Sequence, residues 1–146
     1  MTAFEVRRED LEQSLRARTK GAPFLLTGPP GSGKTFLLEA LGARLTAEGA
    51  LPVYLDLMGA ASSPDRFVAA ALRALPAGPL ATHLAAATRV KSLAEAGRER
   101  GAEAVEALFE LLSSLREAAG RPVVLLLDEV TEIKSLAYFK GLREVH

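Results

Sequence analysis

One short segment constrains this chain more than any other. Gly28-Pro29-Pro30-Gly31-Ser32-Gly33-Lys34-Thr35 spells G-x-x-x-x-G-K-[ST], a complete phosphate-loop motif. The apolar Phe24-Leu25-Leu26-Thr27 leads into it and predicts a short buried strand. Behind it a helix is expected from Lys34 to about Glu48. Leu37, Leu38, Leu41 and Leu45 fall on one face of that helix, and Glu39, Arg44 and Glu48 fall away from it. Gly49 is well placed to end it. Glycines let the backbone bend so that successive N–H groups point inward at an anion, and the helix adds its positive end. Lys34 is placed to reach the β- and γ-phosphates, and the Thr35 hydroxyl to coordinate Mg2+. The nucleotide-binding set is therefore Gly28, Pro29, Pro30, Gly31, Ser32, Gly33, Lys34, Thr35 and Phe36. The competing reading is a Gly/Pro-rich turn that binds nothing. The full motif between strand and helix argues against it.

A second signal lies further along. Val123-Val124-Leu125-Leu126-Leu127 predicts a strand buried on both faces, and it delivers Asp128-Glu129 at its carboxyl end. Ligands sit at that end in open α/β sheets. Asp128 is the candidate metal residue opposite Thr35. Glu129 is the candidate catalytic carboxylate that orients and deprotonates a water, with Lys34 as its cationic counterpart on the phosphates. An acid pair that merely starts a helix is the plainer alternative.

The rest of the chain alternates strand and helix signals. Arg7–Thr19 carries Leu11 and Leu15 at a spacing of four and suggests a short helix. Leu51–Leu57 reads as a strand with Pro52 suited to an edge. Ser63-Pro64-Asp65 has the Ser cap, first-turn Pro and early acid of a helix start. Phe67, Val68, Ala71, Leu72 and Leu75 then follow at helical spacing, up to a break at Pro76-Ala77-Gly78-Pro79. Leu80–Gly101 is rich in small residues and only weakly periodic, and residues 76–104 form a candidate helical insertion. Val105, Leu108, Phe109, Leu112 and Leu115 mark a firmer helix ending near Gly120, and a last helical pattern runs from about Ile133 to Arg143. Alternating strands and helices imply an α/β fold with a parallel sheet.

Composition removes several classes of function. The 146 residues suit one domain. Lys plus Arg (18) equals Asp plus Glu (18), so the charge balance gives nucleic-acid binding no support. With no cysteine and two histidines, His83 and His146, the chain offers neither thiol chemistry nor a histidine-built metal site. No apolar run approaches the roughly 20 residues of a bilayer span, and the amino terminus lacks the form of a signal peptide, so a cytoplasmic protein with no membrane segment is expected. No asparagine occurs, which rules out an Asn-Lys-x-Asp guanine motif and favours ATP over GTP.

Taken together, Gly28–Thr35 and Val123–Glu129 resemble the P-loop NTPases of the additional-strand, catalytic-glutamate division. Within it they are most similar to AAA+-type and STAND-type ATPases, including the archaeal-type ATPases and origin-recognition relatives. Phe4-Glu5-Val6-Arg7-Arg8-Glu9-Asp10-Leu11 is similar to the F-x-G-R-x-x-E-L opening of those families, which lies against adenine, with Val6 at the glycine position. The same segment also reads as the start of an ordinary amphipathic helix. Leu55-Asp56-Leu57 looks like their second strand, and Asp56 also reads as a simple strand-end cap.

The resemblance implies a three-layer α/β/α domain with sheet order 5-1-4-3-2, of which this sequence supplies candidates for strands one to three only. The chain is therefore expected to be the amino-terminal part of one such domain over residues 1–146, truncated after the Asp-Glu strand. Phe24–Thr27 and Val123–Leu127 would then flank a slot of roughly 10 Å. The implied activity is binding of Mg·ATP, with ADP as product. Hydrolysis would be slow, or would wait on a polar sensor and an arginine supplied by further segments or partners. The alternative is a STAND-like nucleotide-gated switch whose output is assembly, with a homo-oligomer or protein partner. A small-molecule kinase generally needs no Glu after the metal-site Asp and fits less well.

Overall fold

The computed structural model describes residues 25–132 and Lys134. The expectations for Phe4–Leu11, Arg7–Thr19, Phe24 and most of Ile133–Arg143 lie outside the described residues. Among the described residues two parallel strands form the sheet, β1 (Leu51–Asp56) and β2 (Val123–Asp128). Their register pairs Leu51 with Val123 and carries through to Asp56 with Asp128. Leu51 N–H donates to Pro122 O and Leu57 N–H to Asp128 O, extending the ladder at both ends.

Among the described residues there are five α-helices: α1 (Lys34–Ala47), α2 (Pro64–Ala74), α3 (Ala77–Ala81), α4 (Leu84–Glu95) and α5 (Gly101–Ala119). The pleat of the sheet sends alternate side chains to opposite faces. On one face Tyr54, Val124 and Leu126 meet α1, whose Leu37, Leu38, Leu41 and Leu45 are buried as their spacing predicts. Gly42 lets α1 come close, since a Cβ there would stand 3.2 Å from Leu126 Cδ1. On the other face Val53, Leu55 and Leu127 pack into a larger core with α2 and α5, and α4 lies against those two helices. Among the described residues the architecture is thus α/β/α with a small parallel sheet, compatible with part of a P-loop NTPase fold. No helix among them is long and apolar enough to cross a membrane.

Helix ends follow local chemistry. Gly49 and Gly120 adopt left-handed backbone just past α1 and α5, a conformation costly for residues with a Cβ. Pro64 opens α2 and Asp65 sits in its first turn, but the Ser63 hydroxyl makes no capping bond. At Pro76–Pro79 the chain forms the short α3 rather than a plain break. Pro79 falls in the first turn, where its missing N–H costs nothing. The weakly patterned 80–101 stretch is mostly helical. Ala87, Val90, Leu93 and Ala94 give α4 its buried stripe, and only Val90 and Leu93 of these are large enough to mark its period.

Three expectations need correction. Leu25–Thr27 belongs to no strand, and Leu25 is 69% exposed. A strand exists through its ladder, and the neighbours that the expected order assigns to this segment are not among the described residues. β2 is not buried on both faces: Leu126 and Asp128 are buried, Val123, Val124 and Leu127 are half-buried, and Leu125 is exposed. On α5, Leu111 occupies the buried stripe that Phe109 was expected to share, and Phe109 is 42% exposed. Leu111 stands three and four residues from Leu108 and Leu115, so it lies on their face, whereas Phe109 turns about 100° away from Leu108.

Candidate functional site

The segment between Leu25 and α1 is an exposed loop shaped by its glycines. Gly31 and Gly33 take φ of 76° and 84°, and Gly33 stands at the N-cap of α1. Gly28 is tight for another reason, because a Cβ there would approach Ser32 Oγ to 2.9 Å. Ser32 N–H closes a turn onto Pro29 O at 3.2 Å. Pro29 and Pro30 are exposed, and Phe36, in the first turn of α1, is 54% exposed.

The start of α1 breaks a local rule. No side chain caps it, and no acid lies in its first turn. Lys34 instead places a cation at the positive end of the helix, an arrangement that disfavours the helix by itself. An anion held by the loop would reverse that sign. In the structure the Lys34 ammonium donates to Gly28 O at 2.8 Å and Pro29 O at 3.0 Å, folded back on its own loop.

Thr35 makes the connection to the sheet. Its hydroxyl donates to Asp128 Oδ2 at 2.6 Å, across 93 positions of sequence. That length suits a charge-assisted O–H···O⁻ bond. Asp128 is the sole buried charged residue among the described ones, at 8% exposure. Its Oδ1 accepts from Glu129 N–H at 2.9 Å, and its Oδ2 also accepts from the Tyr54 hydroxyl at 3.0 Å. The Thr35 hydroxyl holds the carboxyl of Asp128 below the usual range; burial opposes this, and the Glu129 N–H, Tyr54 and the Lys34 charge assist. Tyr54 responds in the opposite sense: burial, then the bond to Asp128, pushes its phenol up to about 12.

Glu129 follows with φ of +50°, the one non-glycine among the described residues with positive φ. Such backbone is uncommon for a residue with a Cβ and tends to accompany functional sites. Its side chain is exposed, and Glu132 N–H closes a turn back onto its carbonyl at 2.9 Å. Asp56, the register partner of Asp128, accepts from Met58 N–H at 2.8 Å and so caps the end of β1. His83 flanks the start of α4, its ring nitrogen 2.9 Å from the Thr82 hydroxyl.

The structure therefore brings Thr35 and Asp128 into direct contact, with Lys34 and Glu129 as their sequence neighbours. Tyr54 is the participant that motif reading missed. Alternation along β1 puts it on the same face as Asp56, but only the register with β2 reveals that Asp128 is within its reach. The oxygen donors here, a hydroxyl and a buried carboxylate held in its ionised form, suit a hard cation that keeps most of its waters, as Mg2+ does. No group of three or more His, Cys, Asp and Glu residues placed to hold a metal occurs among the described residues.

Comparison with known proteins supplies a family. The family model of the AAA ATPase domain matches residues 5–137. Searches of curated proteins and of solved structures returned no match. A glycine loop opening a helix, tied by Thr35 to a carboxylate at the end of a parallel strand, stands inside that matched span, and the chain belongs to the AAA ATPase domain family.

Proposed function

We propose that the chain binds Mg·ATP on residues 28–36 and hydrolyses it slowly when alone. The observation that carries this reading is the 2.6 Å bond between the Thr35 hydroxyl and Asp128. It joins the two halves of the motif pair into one site. In this reading the N–H groups of Gly31–Thr35 and the positive end of α1 hold the phosphate oxygens. Lys34 exchanges its bonds to Gly28 O and Pro29 O for the β- and γ-phosphates. Thr35 and Asp128 hold the cation, which when bound neutralises phosphate charge.

The Glu129 carboxylate orients a water and accepts its proton as the water oxygen attacks the γ-phosphorus, and ADP leaves as the phosphoryl bond breaks. Turnover is proposed to be slow because an arginine on the transferring group is worth about 10³–10⁵ in rate. Arg89 and Arg100 are engaged with Glu110 and Glu103 on the helical side.

A thermal unfolding scan with Mg·ATP, with Mg·ADP and without nucleotide tests the binding step. Nucleotide at 100 times its dissociation constant adds about 2.7 kcal/mol to the folded state. The transition should rise in the wild type and stay in place in Lys34→Ala. A transition indifferent to nucleotide in both proteins refutes the reading.

A further inference from the structure

Tyr54 remains unexplained by packing alone. Its ring is half-buried against the apolar cluster that α1 forms with Ala50 and Leu126, a place that phenylalanine would fill as well. The hydroxyl is the extra feature, and a buried hydroxyl is unfavourable unless it is bonded. It reaches across to the neighbouring strand and donates to Asp128 Oδ2.

Counting lone pairs gives the consequence. Each carboxylate oxygen accepts about two hydrogen bonds. Oδ2 takes Thr35 at 2.6 Å and Tyr54 at 3.0 Å, so it is saturated. Among the described residues Oδ1 takes only the Glu129 N–H at 2.9 Å, which leaves one of its two acceptor directions unused by them. The donors come from the start of α1, from β1 and from the residue after β2. Three such anchors fix the plane of the carboxylate.

We infer that Tyr54 is a positioning residue that fills the second lone pair of Asp128 Oδ2 and so reserves Oδ1 for the hydrated divalent cation that accompanies the nucleotide. This rests on the proposed nucleotide site. Without the phenol the carboxylate can present either oxygen to the cation, and its orientation is no longer unique. Groups that orient metal-site carboxylates in this way commonly contribute 10–100-fold to metal affinity.

Calorimetric titration of the whole chain with a non-hydrolysable ATP analogue, with and without MgCl2, tests the inference in wild type and Tyr54→Phe. The gain in affinity on adding Mg2+ should fall about tenfold in the variant, while the metal-free affinity stays within about twofold. An undiminished Mg2+ gain in Tyr54→Phe overturns the inference and leaves the nucleotide site standing. Equal loss of both affinities marks the bond as a structural tie and also overturns it. A wild type that gains nothing from Mg2+ overturns both this inference and the functional reading.

A second measurement does not depend on the folding of that variant. The chain has no tryptophan and two tyrosines, Tyr54 and Tyr138. In Tyr138→Phe the emission of Tyr54 stands alone, and its intensity should change when Mg2+ joins the bound analogue. Emission that ignores Mg2+ counts against the inference.

Discussion

The two faces of the sheet are built for different purposes. Behind it, β1 and β2 meet α2 and α5, with α4 behind them, and the buried cluster runs from Val53 through Leu108 and Leu111 to Leu115. In front, Leu37, Leu38, Leu41 and Leu45 of α1 form a smaller cluster with Ala50 and with Leu126 of β2. The front face also carries the polar elements: Asp128 is buried there, Tyr54 bonds to it, and the glycine loop stands exposed above. Apolar burial stabilises a domain roughly in proportion to area, so the back face supplies most of the stability. The front face gives up some of that burial to hold a charge and an open loop. The division predicts that lesions on the two faces separate stability from nucleotide response.

The largest effect should come from Glu129→Gln. It leaves the carboxylate of Asp128 and the loop in place but removes the proposed proton acceptor. Hydrolysis should fall by about 10²–10⁴, with the Mg·ATP-induced rise in melting temperature retained. Equal turnover in the two proteins would remove Glu129 from the mechanism.

Next come paired truncations, Leu108→Ala behind the sheet and Leu41→Ala in front, at residues that are 1% and 0% exposed. Each should cost about 2–5 kcal/mol, read as a lower denaturant midpoint. Only Leu41→Ala should also weaken the nucleotide-dependent rise, because α1 carries Lys34 and Thr35. An equal loss of that rise in Leu108→Ala would abolish the proposed division of labour.

The smallest effect is in pH dependence. Because the folded carboxyl of Asp128 titrates below its unfolded value of about 3.9, its contribution is present above that value. It disappears as pH falls through the lower folded value. The stability gap between wild type and Asp128→Asn should therefore narrow in acid below about pH 4. Tyr54 has the opposite sign: its phenol is raised from about 10 to about 12. Its contribution is intact below pH 10 and is lost as pH rises through 12. Tyr54→Phe should flatten that alkaline limb, and melting curves between pH 9 and 12 would show whether it does.

Much of the front face was legible in the chain. The loop, the leucine stripe of α1 and the apolar run into Asp128-Glu129 are local patterns, each set by spacing within a few turns or a strand length. The back face was harder. Half of the buried stripe of α4, Ala87 and Ala94, is alanine, and Leu111 rather than Phe109 completes α5 because its neighbours lie at Leu108 and Leu115. Leu25–Thr27 has the composition of a strand, yet composition supplies no partner, and the segment joins no ladder.

By itself, then, the sequence determined the phosphate-loop motif, the helix that follows it and the acid pair at a strand end. Each depends on residues close together in the chain. Tertiary structure decided the parallel register that sets Asp56 beside Asp128, the 2.6 Å contact from Thr35 and the approach of Tyr54 to the same oxygen. Those contacts join residues 74 and 93 positions apart. Such distances are set by how two faces pack on one sheet, because a strand's own alternation fixes which side a residue faces but not which neighbour it meets.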